Sequence, residues 1–135
     1  MQNRVNLIFK RIYLQKDVLR RESVAMFLEG VGLALEDDCE IAVCAYWQGE
    51  IVGCGSLAGN VLKCIAVSPV LQGEGLSLKL LTELLTLAYE LKPQRAFSCF
   101  TKPQKSVAVF WRGGFWPIAQ AGELAVLMEN SSERL

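Results

Sequence analysis

Apolar and polar positions along the chain fall into short runs whose period changes from strand to helix and back. Val5–Tyr13 mixes apolar with basic residues and predicts a first strand. Asp17 can cap a helix running to about Leu28, with Gly30 and Gly32 ending it. The stretch Leu33–Cys39 has room for one turn. Glu40–Tyr46 and Glu50–Leu57 predict two strands joined by a tight turn at Gln48-Gly49. Asn60–Val67 predicts a fourth strand, entered through Gly59-Asn60 and ended by Pro69.

The strongest helical pattern runs from Gly75 to Leu91. Leu76, Leu80, Leu81, Leu84, Leu87, Ala88 and Leu91 form one face, while Lys79, Thr82, Glu83, Thr86 and Glu90 form the other. Pro93 closes it. Arg95–Thr101 predicts a fifth strand, Pro103–Arg112 a third helix stopped by Gly113-Gly114, and Phe115–Ala119 and Glu123–Glu129 two last strands. Asn130–Leu135 is polar and is expected to be loose. This order predicts a mixed sheet with helices on both faces, an α/β (α+β) fold.

With 135 residues the chain suits one domain, and 52% hydrophobic residues can fill its core. Lys plus Arg number 14 and so do Asp plus Glu, which leaves no electrostatic footprint for nucleic acid. Arg4, Lys10, Arg11, Lys16, Arg20 and Arg21 read as the solvated sides of the first strand and helix. No apolar run reaches the ~18 residues of a spanning helix, and no export signal opens the chain, so a membrane partner is not expected. The 5 cysteines, Cys39, Cys44, Cys54, Cys64 and Cys99, are odd in number and lack a C-x-x-C spacing. Set among Ile, Val and Ala, they read as small hydrophobes in a reducing cytoplasm, with no disulfide framework or metal site. With 0 histidines, the commonest general base and His-ligated metals are excluded.

The chemistry concentrates in Cys64-Ile65-Ala66-Val67-Ser68-Pro69-Val70-Leu71-Gln72-Gly73-Glu74-Gly75-Leu76-Ser77. The run passes from strand through a glycine loop to a helix start, where unpartnered N–H groups and the helix dipole favour an anion. Gly73 and Gly75 allow close backbone approach. Alone, the loop is equally a turn that starts an ordinary crossover helix.

The whole pattern resembles motif A of the GNAT acetyltransferase superfamily. Val67, Pro69, Gln72 and Gly75 match, and Ser77 stands at its last small-residue position. The resemblance implies a mostly antiparallel seven-stranded sheet with splayed fourth and fifth strands, and acetyl-coenzyme A, or a related pantetheine group, as ligand. It assigns the pyrophosphate to Gln72, Gly73, Glu74, Gly75, Leu76 and Ser77, and pantetheine to Ile65, Ala66 and Val67.

Gly59–Val67 with Gly73–Leu76, and Leu127–Ser132 with Arg134-Leu135, also look like the N-terminal domain of citrate lyase ligases. That resemblance implies acetylation of the prosthetic-group thiol of the citrate lyase acyl carrier protein, within an acid–thiol ligase. In that family the ATP chemistry belongs to a C-terminal nucleotidyltransferase domain with a His-containing motif. This chain lacks His and is expected to be an excised domain, residues 1–135.

A common GNAT motif places a Tyr general acid before Gly-Phe. Aligning Gly114-Phe115 with that pair puts Val109 and Phe110 at the Phe-Tyr positions, so Phe110 faces the ligand without a hydroxyl. Tyr46, Tyr89 and Glu123 are other available polar groups, each with a surface or core explanation, and no catalytic residue is assigned. Cys64 is either an acyl-accepting thiol or a packed one. Gly53-Cys54-Gly55-Ser56-Leu57-Ala58 fits G-x-G-x-x-A but lies in a hairpin, so its glycines read as a bulge or close contact. Trp111 and Trp116 are either core or partner contacts. Three functions stay open: an acyltransferase, a non-catalytic module holding coenzyme A or a carrier protein's pantetheine arm, and a scaffold with an empty loop.

Overall fold

The computed structural model describes residues 6–71, 75–93, 96–101, 112–121 and 125–131. The elements run β1 (Ile8–Tyr13), α1 (Val18–Gly30), β2 (Ile41–Trp47), β3 (Glu50–Ala58), β4 (Val61–Val67), a 3-10 turn (Pro69–Leu71), α2 (Leu76–Leu91), β5 (Ala96–Thr101), β6 (Trp116–Ala121) and β7 (Ala125–Ser131). The strands form one sheet in the order β1-β2-β3-β4-β5-β7-β6. Among the described strands only β4 and β5 pair in parallel, joined by α2 as a crossover.

Local chemistry sets the element ends. The Asp17 carboxylate accepts from the Arg20 N–H at 3.2 Å and starts α1. At the other end the Leu33 N–H donates to the Leu28 carbonyl and the Gly32 N–H to Glu29, with Gly32 at φ +85°. That is a Schellman cap built on the one residue free to adopt the left-handed region. Gln48 and Gly49 both have positive φ, at 53° and 84°, as a type I′ hairpin turn requires. The single turn expected in Leu33–Cys39 is closed by the Cys39 N–H on the Glu36 carbonyl.

The period of the strands divides the core. Ile41, Val43 and Ala45 point to the α2 face, where they pack with Leu57, Leu62, Leu76, Leu80, Leu84, Phe97 and Phe115. Ala42 and Cys44 point to the α1 face with Ile12, Leu14, Val24, Leu28, Cys39 and Cys54. Helices therefore cover both faces, and the mixed α/β class read from the sequence is the class observed. Each fully buried Leu adds about 1.5–3 kcal/mol, so α2, which buries Leu76, Leu80, Leu81, Leu84, Leu85, Leu87 and Ala88, is the main clamp on the sheet.

Three expectations shift. Leu91, the last residue of α2, is 51% exposed; Leu85, outside the expected face, is buried instead. Asn130 and Ser131, expected in a loose tail, continue β7 opposite Phe97 and Ala96. Backbone pairing holds them in the strand despite their polar side chains. The third helix expected over Pro103–Arg112 lies outside the described residues except for Arg112.

The glycines of Gly53-Cys54-Gly55 serve close contact. A Cβ on Gly53 would lie 2.6 Å from Leu80 Cδ1, and one on Gly55 would lie 3.0 Å from Leu84 Cδ2. Their absence lets α2 sit directly on β3 and fixes where its N-terminus meets β4.

Candidate functional site

Two features of β4 shape the site. The β3–β4 register slips between Cys54 and Ser56, so Gly55 stands opposite both Cys64 and Ile65. This bulge puts Cys64 at φ +53°, a conformation uncommon for a residue with a side chain. Second, the parallel ladder to β5 consists of Val61↔Ser98 and Leu62↔Cys99. Immediately past it comes the bulge, and the ladder ends. From Lys63 onward the bulged backbone of β4 forms no ladder pair with β5 among the described residues.

The start of α2 borders the same end of β4, after the turn Pro69–Leu71. Gly75 is the N-cap at φ +78°, exposed, and as a glycine offers no side-chain cap hydrogen bond. Its absent Cβ would meet nothing within 4 Å, so glycine answers the backbone angle here and not a crowded neighbour. Ser77 is half-buried, whereas Leu76 is a core side chain and can offer a ligand only its backbone. Ile65 is half-buried on the α2 face, Ala66 half-buried on the α1 face, and Val67 buried opposite Gly53. The structure thus brings Ile65, Ala66, Val67, Gly75, Leu76 and Ser77 to one end of the sheet. Gln72, Gly73, Glu74 and Phe110 lie outside the described residues, as do Glu123 and Trp111.

The candidate acid–base groups divide. Tyr89 is packed edge-on against Phe97, with ring centroids 4.9 Å apart, in a core role. Tyr46 lies under the Lys10 ammonium, 5.2 Å from the ring centre, and burial pushes its hydroxyl above the ordinary range. Trp116 is half-buried at the start of β6, the strand at the sheet's edge.

A polar layer over β4 is absent from the sequence reading. Lys63 reaches Glu36 Oε1 and Asp38 Oδ2, each at 2.9 Å, and so ties the segment between α1 and β2 across the bulge. Glu40 accepts from the Gly59 N–H at 3.2 Å, and Gln15 donates to the Cys39 carbonyl at 3.0 Å. Hydrogen bonds to the two acids, Asp38 first, raise the Lys63 pKa, and Lys63 in turn lowers that of Asp38. Beneath this strap Cys64 packs against the buried cluster that holds Cys39, and interaction between the two thiols lowers the pKa of Cys64 and raises that of Cys39. Nothing in the residue types announces that pair, because Cys39 and Cys64 meet only through the fold.

The profile of the acetyltransferase (GNAT) domain family matches residues 20–125, a span that includes β4, the glycine loop and α2. The chain belongs to that family. This GNAT domain is 63% identical over 131 residues to the citrate (pro-3S)-lyase ligase of Klebsiella pneumoniae, covering 97% of this chain and 38% of that protein. It is 41% identical over 128 residues to the same-named ligase of Haemophilus influenzae, covering 94% of this chain and 37% of the relative. The GNAT domain therefore spans little more than a third of the length of these curated relatives. An acyl-CoA N-acyltransferase from Pseudomonas aeruginosa superposes with a TM-score of 0.78 at 16% identity, over 93% of this chain and 100% of that one, a likeness of fold. Among the described residues of the GNAT domain no helix is long and apolar enough to cross a membrane, and no group of three or more His, Cys, Asp or Glu side chains is placed to hold a metal.

Proposed function

We propose that this GNAT domain binds an acyl-coenzyme A along β4 beyond its ladder to β5 and passes the acyl group to a thiol. The acceptor we infer is the prosthetic group of the acyl carrier protein of citrate lyase, with the domain acting as part of a longer ligase. The observation that carries this reading is the end of the β4–β5 ladder at Leu62↔Cys99, beside a helix whose N-cap residue, Gly75, offers no side-chain cap.

The residues present fit such a substrate. An amide-bearing pantetheine arm can pair like a strand with the bulged stretch around Ile65–Val67. A pyrophosphate suits the N-terminus of α2, where Gly75 leaves the approach open and Gln72–Glu74 would complete the loop. The substrate brings its own activated thioester carbonyl. A backbone N–H of β4 directed at that oxygen would stabilise the charge developing there. Attack by a thiol needs less help from a base than attack by an amine, because a thiol ionises far more easily than an ammonium loses its proton. That accords with a chain of 0 His whose Phe110 stands where the family's general acid is found.

The missing hydroxyl at Phe110 favours a second reading, a module that holds coenzyme A or a carrier protein's pantetheine arm without catalysing transfer. Acyl transfer from acetyl-coenzyme A to a pantetheine thiol, measured against the rate without protein, separates the two.

Isothermal titration calorimetry with coenzyme A and acetyl-coenzyme A on wild type, Gly75→Ala and Gly75→Asp tests the shared premise. A carboxylate about 5 Å from a doubly charged pyrophosphate costs about 1.7 kcal/mol in a water-like dielectric, or at least tenfold in affinity. Gly75→Ala carries the backbone penalty without the charge. Wild-type binding, with the Asp variant weaker than the Ala variant by about tenfold, supports the site. A folded wild type that binds neither ligand refutes it.

A further inference from the structure

The bulge in β4 decides what that strand presents beyond its ladder to β5. With the slip in place Cys54 stands opposite Ala66 and Gly53 opposite Val67, while Ser56 stands opposite Lys63. Were the slip removed, Ile65 would fall opposite Cys54 instead. Each of Ile65, Ala66 and Val67 would then exchange the sheet face of its side chain and the edge to which its N–H points. The bulge needs holding, because Cys64 at φ +53° is in a region that a residue with a side chain occupies only where its surroundings over-determine it.

The surroundings that do so come from β3 and from the strap between α1 and β2. From β3 the Cys54 thiol donates to the Cys64 carbonyl at 3.5 Å. From the strap the Ala34 carbonyl accepts from the Cys64 thiol at 3.5 Å, and Glu36 and Asp38 each hold the Lys63 ammonium at 2.9 Å. The strap has little apolar anchorage of its own: of residues 31–40 only Cys39 is buried. Gln15 donates to the Asp37 and Cys39 carbonyls, Arg21 lies 3.6 Å from the Asp37 carboxylate, and Glu40 accepts from the Gly59 N–H. Of these charged ties, those of Lys63 are the ones that reach the bulge. Its side chain is 23% exposed and shared between two carboxylates, a small network and not an isolated surface pair.

We propose that Lys63 is a positioning residue for the ligand: by pinning the strap across the bulge, it fixes which backbone groups of Ile65–Val67 a pantetheine arm meets. The role rests on the stretch of β4 beyond the ladder being the coenzyme A site. Lys63 acts through Glu36 and Asp38 and does not itself touch the ligand. Strap closure and ligand binding are then linked in both directions, so loosening the strap weakens binding and a bound ligand steadies the strap.

The test is calorimetric titration of acetyl-coenzyme A into the full chain as wild type, Lys63→Met, Lys63→Arg and the double variant Glu36→Gln with Asp38→Asn. Each is checked for folding by circular dichroism and followed by hydrogen exchange without ligand. Lys63→Met should bind about three- to tenfold more weakly, as loss of a small ion-pair network allows. Lys63→Arg should keep most of the affinity. The double variant should be weakened like Lys63→Met although Lys63 retains its charge. At about 1 M salt the gap between wild type and both weakened variants should close, since charges there are screened within about 3 Å. Amides of residues 33–40 and 63–67 should exchange faster in those two variants, and those of β1 should not. Tighter binding by the double variant overturns the proposal, because an ammonium freed from two acids would then be holding a phosphate directly. Equal binding by wild type, Lys63→Met and the double variant overturns the positioning role and leaves the site standing. A folded wild type that binds no acetyl-coenzyme A overturns the site, and the role with it.

Discussion

Replacing Gly53 by Ala probes whether α2 is seated on β3 as described. The added Cβ would stand 2.6 Å from Leu80 Cδ1, against an ordinary contact of about 3.5–4 Å. Leu80 is 1% exposed and lies within the core cluster of α2 and the sheet, so the methyl must be forced about 1 Å into occupied space. Overpacking of this kind costs about 1–3 kcal/mol. For a chain of 135 residues that lowers Tm by roughly 3–12 °C. Gly53 is outside the left-handed region, so backbone strain adds nothing.

The decisive assay is a double-mutant cycle by urea denaturation. Leu80→Ala alone should cost about 2–5 kcal/mol as a cavity. In that background the clash is gone, and Gly53→Ala should be neutral or gain about 0.4–1 kcal/mol from the stiffer unfolded chain. The coupling energy should therefore be about 1–3 kcal/mol. Gly55→Ala, whose nearest atom would be 3.0 Å away, should cost less. An equal penalty for Gly53→Ala in both backgrounds would refute the reasoning, since it would place the cost elsewhere than at Leu80.

Cys64→Gly removes a side chain from a residue at φ +53°. Relief of about 1–2 kcal/mol of left-handed strain should roughly offset the flexibility that glycine adds to the unfolded chain. Tm should then stay nearly unchanged, while a β-branched Cys64→Val should lower it clearly in the same scan. Asp38 is held below its ordinary 3.8, chiefly by its hydrogen bond from Lys63. A carboxylate with a depressed folded pKa stabilises above its unfolded pKa and loses that contribution as pH falls through the folded value. Wild type should therefore lose stability more steeply than Lys63→Met below about pH 4, as read from urea midpoints across an acid series.

What the chain's sequence made readable was whatever its chemistry decides locally. The Asp17 cap, the Gly32 stop, the Gln48-Gly49 turn and the leucine face of α2 each depend on neighbours within a few positions. Gly75–Ser77 could be proposed as an anion site because the strand–glycine–helix order is itself a local signal, whereas Ile65–Val67 came with the family resemblance. The short β4–β5 ladder could not be read locally, since no run of residues states how far a parallel ladder extends. The bulge at Cys64 was invisible for a related reason. Val61–Val67 alternates poorly whether or not a residue is extra, and the slip is decided by what Gly55 must face. Cys39 against Cys64, and Lys63 between Glu36 and Asp38, are tertiary meetings across more than twenty positions. Asn130 and Ser131 misled because their polarity describes their side chains, while β5 pairs with their backbone.

The short ladder between β4 and β5 has a consequence for cooperativity. Strands β1 to β4 form one antiparallel hydrogen-bonded block and β5, β7 and β6 another, and two residue pairs are the rungs between them. Beyond those rungs the blocks hold together through Phe97 and Cys99 in the core under α2. Whatever lays its own amides along the open stretch of β4 supplies rungs that the polypeptide leaves out. It becomes, in effect, a temporary strand in the protein's own sheet. Occupancy would then be written into amide hydrogen exchange, slowing it in both blocks at once, including strands the molecule never touches.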